Sequence, residues 1–430
     1  MSEVVVVRGR LVRESSVVDD GVVVASGGRV AVAGSVADAV AAGFGADVEQ
    51  VPPAPGTYLL PGLVDLHNHG GGGASFPDVT TAEQALPGVL EHRRHGTTTL
   101  LASLVTAQPA VLLERAAVLA ELAEAGEIEG LHAEGPFLSH RRRGAHNPAD
   151  LQEGSAELVR DLVRAARGHL RTMTVAPEVP GVVGPGGVAE ALVEAGVLPS
   201  LGHTDGTTEQ AETLIAQVRA GLAAAGGAIG PLTATHLFNG MRPLHHRAPG
   251  PIAACLAAAA RGDMAVELIG DGVHLDPATV RSVFDMVGAA NVVLVTDAMA
   301  AAGVADGRYD LGPMSVEVRE GVARIVPEPS SGADAAEGAI AGGTAHLVDV
   351  VRLAVRAGVP LVDAVRAATA VPAHVLGLSG EVGALVPGAR ADVLVTDADL
   401  RPLRVLRHGA EVSGVAGSRD DVVDTDVVGA

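Results

Sequence analysis

From Tyr58 onward the chain repeats one rhythm about eight times: an apolar run, a Gly- and His-rich loop, then a stretch rich in Ala, Leu and Glu. The apolar runs cover residues 59–66, 97–105, 128–133, 170–176, 198–202, 233–237, 265–270 and 292–296. Stretches of helical character, such as 109–125 and 208–225, lie between them. Strands that alternate with helices pair in parallel, because each helix carries the chain back across the sheet. About eight such units predict a closed (β/α)8 barrel of the TIM type, with ligands gathered at the C-terminal ends of its strands.

The flanks follow another pattern. Valine-rich runs at 4–7, 21–24 and 29–32 alternate with Gly and charged turns, which reads as short antiparallel strands. Residues 307–326 look β-like again, 328–338 read as a mobile polar loop, and helices are expected near 344–357 and 360–369. Short strands and turns return over 383–412. Both ends are therefore β-rich, and one small β-sandwich assembled from both termini accounts for them. The expected division is 1–57 for the first part of that module, 58–381 for the barrel, and 382–430 for the rest of the module. The acidic residues from Asp420 on are expected to be a disordered tail.

Composition removes several classes of function. A formal net charge of −21 opposes nucleic-acid binding, which needs basic surface to displace counterions. All 30 basic residues of the Lys+Arg count are Arg. Schiff-base chemistry, a P-loop lysine and a carboxylated-lysine metal bridge are thus impossible. The single cysteine, Cys255, sits in an apolar run and reads as a small core residue; it permits neither an intrachain disulfide nor a thiolate metal cluster. No stretch reads as a membrane span and the first residues do not read as a secretory signal, so a soluble cytoplasmic protein is expected.

Six side chains of ligand type fall where strands should give way to loops. His67 and His69 are two apart at the end of the first run, so an extended backbone turns both imidazoles to one side. Glu134 ends the third run with a carboxylate able to bridge two cations, and His203, His236 and Asp297 end the fifth, sixth and eighth. A lone buried His is more often hydrogen-bonded core, and an Asp after a strand is usually a helix cap. Shared placement at converging strand ends lifts these six above that reading, toward a divalent metal site. His92 and His95, beside Arg93 and Arg94, read as surface residues, as do His140, His169 and His408.

The same residues carry a resemblance. Segments 61–73 (PGLVDLHNHGGGG), 132–148 (HAEGPFLSHRRRGAHNP), 202–205 (GHTD), 235–241 (THLFNGM), 271–274 (DGVH) and 295–303 (VTDAMAAAG) together resemble the N-acetylglucosamine-6-phosphate deacetylase family of the amidohydrolase superfamily. The likeness spans about residues 4–412 with its motifs in the expected order. It implies a hydrolase that releases acetate and glucosamine 6-phosphate, in amino-sugar catabolism and cell-wall recycling. Glu134, His203 and His236 resemble the ligands of the metal common to the family, and His67 and His69 the pair that adds a second ion in binuclear members. The resemblance makes Asp297 the general acid/base as well as a ligand. It places His146 near the acetyl carbonyl and His274 near the sugar phosphate, with the backbone of Asn239 and Gly240 holding that phosphate. Arg247 resembles an arginine that reaches the neighbouring subunit's phosphate, which implies a homodimer. Two positions depart from the family's pattern: Ala248 stands where Glu is frequent, and Gly343 where Ser is common.

Two other readings compete. One is a different amidohydrolase, such as an N-acyl-amino-acid deacylase or cyclic amidase, against which Asn239, Arg247 and His274 favour a phosphorylated substrate. The other is a catalytically dead barrel scaffold, which would have lost ligands that are all present here. Ligand type does not choose the metal: zinc is expected, one or two ions per subunit, with iron, cobalt or manganese equally compatible with imidazole and carboxylate.

Overall fold

The computed structural model describes residues 4–226, 230–326 and 338–415. Four strands open the chain: β1 (Val4–Val12), β2 (Val17–Ser26), β3 (Arg29–Ser35) and β4 (Tyr58–Pro61). Eight more form one parallel sheet: β5 (Leu63–Asn68), β6 (Thr97–Val105), β7 (Gly130–Glu134), β8 (Leu170–Val175), β9 (Leu198–Leu201), β10 (Leu232–Ala234), β11 (Met264–Leu268) and β12 (Val292–Leu294). A three-stranded antiparallel sheet follows, β13 (Gly307–Leu311), β14 (Met314–Arg319) and β15 (Val322–Ile325). The last strands, β16 (Val393–Thr396), β17 (Pro402–Arg407) and β18 (Ala410–Glu411), return to the first four in the order β18-β17-β16-β4-β1-β2-β3.

The eight parallel strands are the expected barrel, and they run in chain order around it. All nine residues of β6 are buried, as befits a strand with helices outside and side chains within. The seam between β5 and β12 closes through residues at the ends of the two strands and just past them. Asp297 N donates to His67 O at 2.9 Å, and His69 N donates to Ala298 O at 2.7 Å. Asp65 bolts this seam: its buried carboxylate accepts from Thr296 Oγ1 (2.6 Å), Thr296 N (3.3 Å), Asn68 Nδ2 (3.2 Å) and, more weakly, His67 N (3.4 Å).

The terminal strands form the separate module expected from both ends. β4 joins the halves, pairing in parallel with β1 and antiparallel with β16. Val7, Val23 and Ala25 from the first half share one core with Val393, Val395 and Leu406 from the second. On the opposite face Val22, Val24 and Val32 pack on Ala39 and Val48 of two short helices, Val36–Ala41 and Gly45–Glu49.

The structure corrects several details of the reading. The run 59–66 is two strands: Tyr58–Pro61 belongs to the terminal sheet, and the barrel begins at Leu63. The break is Gly62, whose N–H donates to Asp392 O at 2.9 Å and where a Cβ would lie 2.1 Å from Thr98 Oγ1. His92 is not a surface residue but fully buried, its Nε2 hydrogen-bonded to Gly70 O at 2.9 Å. His95 is half-buried, its ring stacked on that of His346 with centroids 3.5 Å apart. Helix Ala82–Arg94 turns this side inward, with Ala85, Val89 and His92 on one buried face. His140 and His408 are exposed and His169 half-buried. A short helix at Ala370–Val375 has no counterpart in the reading. The polar loop, up to Glu337, and the tail from Asp420 lie outside the described residues. Among the described residues no helix is long and apolar enough to cross a membrane.

Candidate active site

The six expected ligands converge at the C-terminal mouth of the barrel. His67 lies in β5 and His69 just past it, with their Nε2 atoms 2.9 Å apart. Glu134 is the last residue of β7. His203, His236 and Asp297 follow β9, β10 and β12, and all three have left-handed backbones, with φ of 45°, 27° and 48°. Non-glycine residues rarely adopt that region, and where they do the surroundings hold them there, often at functional sites. Here the sharp turn aims each side chain across the mouth instead of into the following loop. Close approach also explains Gly240, since a Cβ there would lie 2.7 Å from His203 Nδ1.

Glu134 divides the cluster into two lobes. Its Oε1 lies 2.9 Å from both His203 Nε2 and His236 Nε2, which are 3.1 Å from one another. Its Oε2 faces His69 Nε2 at 3.2 Å, His146 Nε2 at 3.4 Å and His67 Nε2 at 3.7 Å. Asp297 Oδ1 stands over the second lobe, 3.3 Å from His67 Nε2 and 3.2 Å from His69 Nε2. Donors held ~2.0–2.1 Å from a tetrahedral ion are ~3.3 Å from each other, so these spacings suit a small divalent cation in each lobe. All the donors are imidazole nitrogen or carboxylate oxygen, the set that takes first-row divalent ions.

Electrostatics prepares the donors. Burial pushes the Asp297 carboxyl up, but the His67 and His69 rings outweigh it and leave Asp297 ionised, below the usual carboxylate range. Glu134 is likewise held well below its ordinary value: burial opposes this, while His146, His67 and His203 favour the charge. Burial lowers His203 to about 4, so its ring is neutral and carries a free lone pair. The far ring nitrogens choose the tautomer. His69 Nδ1 faces Ser103 O at 3.2 Å and His203 Nδ1 faces Arg142 O at 2.7 Å; donation there turns Nε2 toward the cluster. That nitrogen is bare on His203, while on His69, raised against its burial by Asp297 and Glu134, it carries a proton that an ion would displace.

The residues implied for substrate divide in two. His146 is buried inside the cluster, and Asn239 and Gly240 directly follow the His236 turn, with Asn239 Nδ2 donating to His236 O at 3.3 Å. His274 stands on the loop after β11, its Nδ1 hydrogen-bonded to Asp271 at 2.8 Å. Arg247 lies apart on an exposed loop, where its guanidinium meets only His246 Nε2, at 2.9 Å, among the described contacts. Sequence reasoning missed His132, which occupies the same face of β7 as Glu134, two residues away. Its nitrogens bond Ser103 Oγ and Thr174 Oγ1, each at 2.9 Å, and its ring packs against His67 with centroids 4.4 Å apart. With both nitrogens occupied it packs behind His67 and has no nitrogen free for an ion. The alternation rule that paired His67 with His69 was enough to find it.

Comparison with known proteins agrees with this geometry. Residues 58–422 match the model of the amidohydrolase family. Human N-acetylglucosamine-6-phosphate deacetylase is 34% identical over 355 residues, covering 80% of this chain and 81% of that protein. N-acetylgalactosamine-6-phosphate deacetylase from Escherichia coli O157:H7 is 31% identical over 380 residues, 86% of this chain and 93% of its own. A mutant N-acetyl-D-glucosamine-6-phosphate deacetylase from Mycobacterium smegmatis, solved in complex with N-acetyl-D-glucosamine-6-phosphate, is 37% identical. It aligns with a TM-score of 0.81 over 95% of this chain and 99% of its own. The barrel, the strand-end donors and these matches together show that the chain belongs to the amidohydrolase family, on its N-acetylglucosamine-6-phosphate deacetylase branch.

Proposed function

We propose that this chain hydrolyses the acetamide of N-acetyl-D-glucosamine 6-phosphate, giving D-glucosamine 6-phosphate and acetate. The observation that carries the reading is the pair of donor lobes joined by Glu134, with an ionised Asp297 beside one of them. We assign His67, His69 and Asp297 to one ion and His203 and His236 to another, with Glu134 shared; zinc is the first choice. When bound, such ions supply a water that is nucleophilic at neutral pH and polarise the amide carbonyl. Asp297 accepts the attacking water's proton and returns it to the departing nitrogen, which leaves as an amine. His146, close to Glu134 in the cluster, donates to the oxyanion as the carbonyl carbon becomes tetrahedral.

Binding of the phosphate falls to His274, to the backbone of Asn239 and Gly240, and to Arg247. The exposure of Arg247, whose guanidinium bonds only His246 among the described contacts, supports donation across a homodimer. A soluble, cytoplasmic enzyme of amino-sugar catabolism is the setting that fits this substrate.

Acetate release from a panel of N-acetyl hexosamines tests the reading. N-acetylglucosamine 6-phosphate should be turned over with the highest kcat/KM, and its unphosphorylated form poorly. A preference for N-acetylgalactosamine 6-phosphate would move the substrate to the C4 epimer and leave the chemistry standing. Release only from unphosphorylated sugars or N-acyl amino acids would overturn it.

A further inference from the structure

The penultimate residue of β11 is a carboxylate that the proposed chemistry does not use. Glu267 is 4% exposed in a strand whose other residues, Met264, Ala265, Val266 and Leu268, are apolar. A buried carboxylate without partners is costly, so what it touches is informative. Oε1 accepts from Thr233 Oγ1 at 2.8 Å. Oε2 lies 3.4 Å from the backbone N of His236 and 3.6 Å from Nδ1 of His67.

That last nitrogen is otherwise stranded. His67 Nδ1 is buried and has no hydrogen-bond partner among the described residues, whereas the Nδ1 atoms of His69 and His203 each face a backbone carbonyl. An imidazole that ligates a metal almost always donates its other N–H to a carboxylate or carbonyl, which fixes the tautomer and makes the ligating nitrogen more basic. Glu267 stands where that acceptor belongs, and Thr233 anchors it there.

We infer that Glu267 is a positioning residue for the metal centre, resting on the reading of the cluster as such a centre. Its Oε2 receives the Nδ1–H of His67 and so presents His67 Nε2 to the ion. The same oxygen holds the backbone amide of His236, so one carboxylate ties the orientation of a ligand in each lobe to the end of β11.

The test is cobalt binding. Wild type, Glu267→Gln and Thr233→Val are stripped of metal, and Co²⁺ affinity is read by competition with a chromophoric chelator. The visible absorption of the bound cobalt is recorded alongside. Glu267→Gln keeps the volume and an acceptor for Thr233 but loses the charge. It should weaken by about 10–100-fold the ion that a His67→Asn/His69→Gln variant fails to bind, and shift the cobalt spectrum. Thr233→Val removes no described hydrogen bond to either histidine and should act in the same direction more weakly, which keeps the inference testable should Glu267→Gln fold poorly. Wild-type affinity and spectrum in both variants would overturn the role of Glu267 and leave the metal centre standing. Failure of the wild type to bind Co²⁺ would overturn both.

Discussion

Asp297 stands against the His67 and His69 rings, held there by a left-handed backbone and by its amide bond to His67 O. In the proposed mechanism its charge moves a proton as well as holding an ion. Asp297→Asn should therefore lower kcat by at least ~10²–10⁴-fold while the protein still folds and takes up metal. Steady-state rates with metal analysis check this; a variant keeping more than about a tenth of the rate would place the proton relay elsewhere. His92 gives a second prediction at this scale. Burial lowers its pKa from 6.5 to about 3, so the unfolded chain binds the extra proton. Stability is then lost as pH falls below 6.5 and recovered above it. The Tm advantage of wild type over His92→Asn should shrink between about pH 7 and pH 5; an unchanged gap would mean that His92 does not titrate on unfolding. The inward spacing of Ala85, Val89 and His92 was present in the sequence, but the neighbouring arginines masked it.

Strands with both faces covered read as continuous apolar runs, which is why the barrel's eight strands were legible without any alignment. Their C-terminal ends were legible too, because His, Glu and Asp interrupt those runs where side chains meet at the mouth. The break at Gly62 was not legible. The residues on both sides are apolar, and only the approach of Thr98 and Asp392 forces two strands out of one run. Nor was the seam between β5 and β12, whose bonds join residues 229 to 231 apart in the chain and leave no local signature. Glu267 escaped for the same reason: its partners Thr233 and His67 come from other strands. Asp65 allows the seam to be tested. An Asn there replaces an acceptor oxygen by a donor and leaves at least one buried N–H or O–H unpaired. Asp65→Asn should cost about 1–3 kcal/mol in urea unfolding of the metal-free chain. No loss would mean that the two backbone bonds past the strands close the barrel alone.

At the scale of the molecule, two termini far apart in sequence build one module, and a barrel between them carries the site. The β-rich flanks made that arrangement readable, since neither half alone covers its valines. The chain is strongly acidic, with a formal net charge of −21, yet the proposed substrate is an anion. Local cations must therefore select it, and Arg247 is the one we assign to a neighbouring copy. Arg247→Ala should raise KM for the phosphorylated sugar far more than for an unphosphorylated one, through the loss of charge-assisted bonds. Mixing it with Asp297→Asn chains should restore activity, because a mixed dimer has one intact centre beside one intact arginine. Exchange of subunits without recovery would place Arg247 in the service of its own site. The claim beneath all of these is that the two lobes around Glu134 are a metal-dependent catalytic centre. Its most direct test is to strip the wild type with chelator, then follow acetate release from N-acetylglucosamine 6-phosphate while divalent metal is added back. The stripped chain should release no acetate, and recovery should track bound metal, ending near two ions per chain for the wild type and one for His67→Asn/His69→Gln. Full acetate release by the metal-free chain would contradict it.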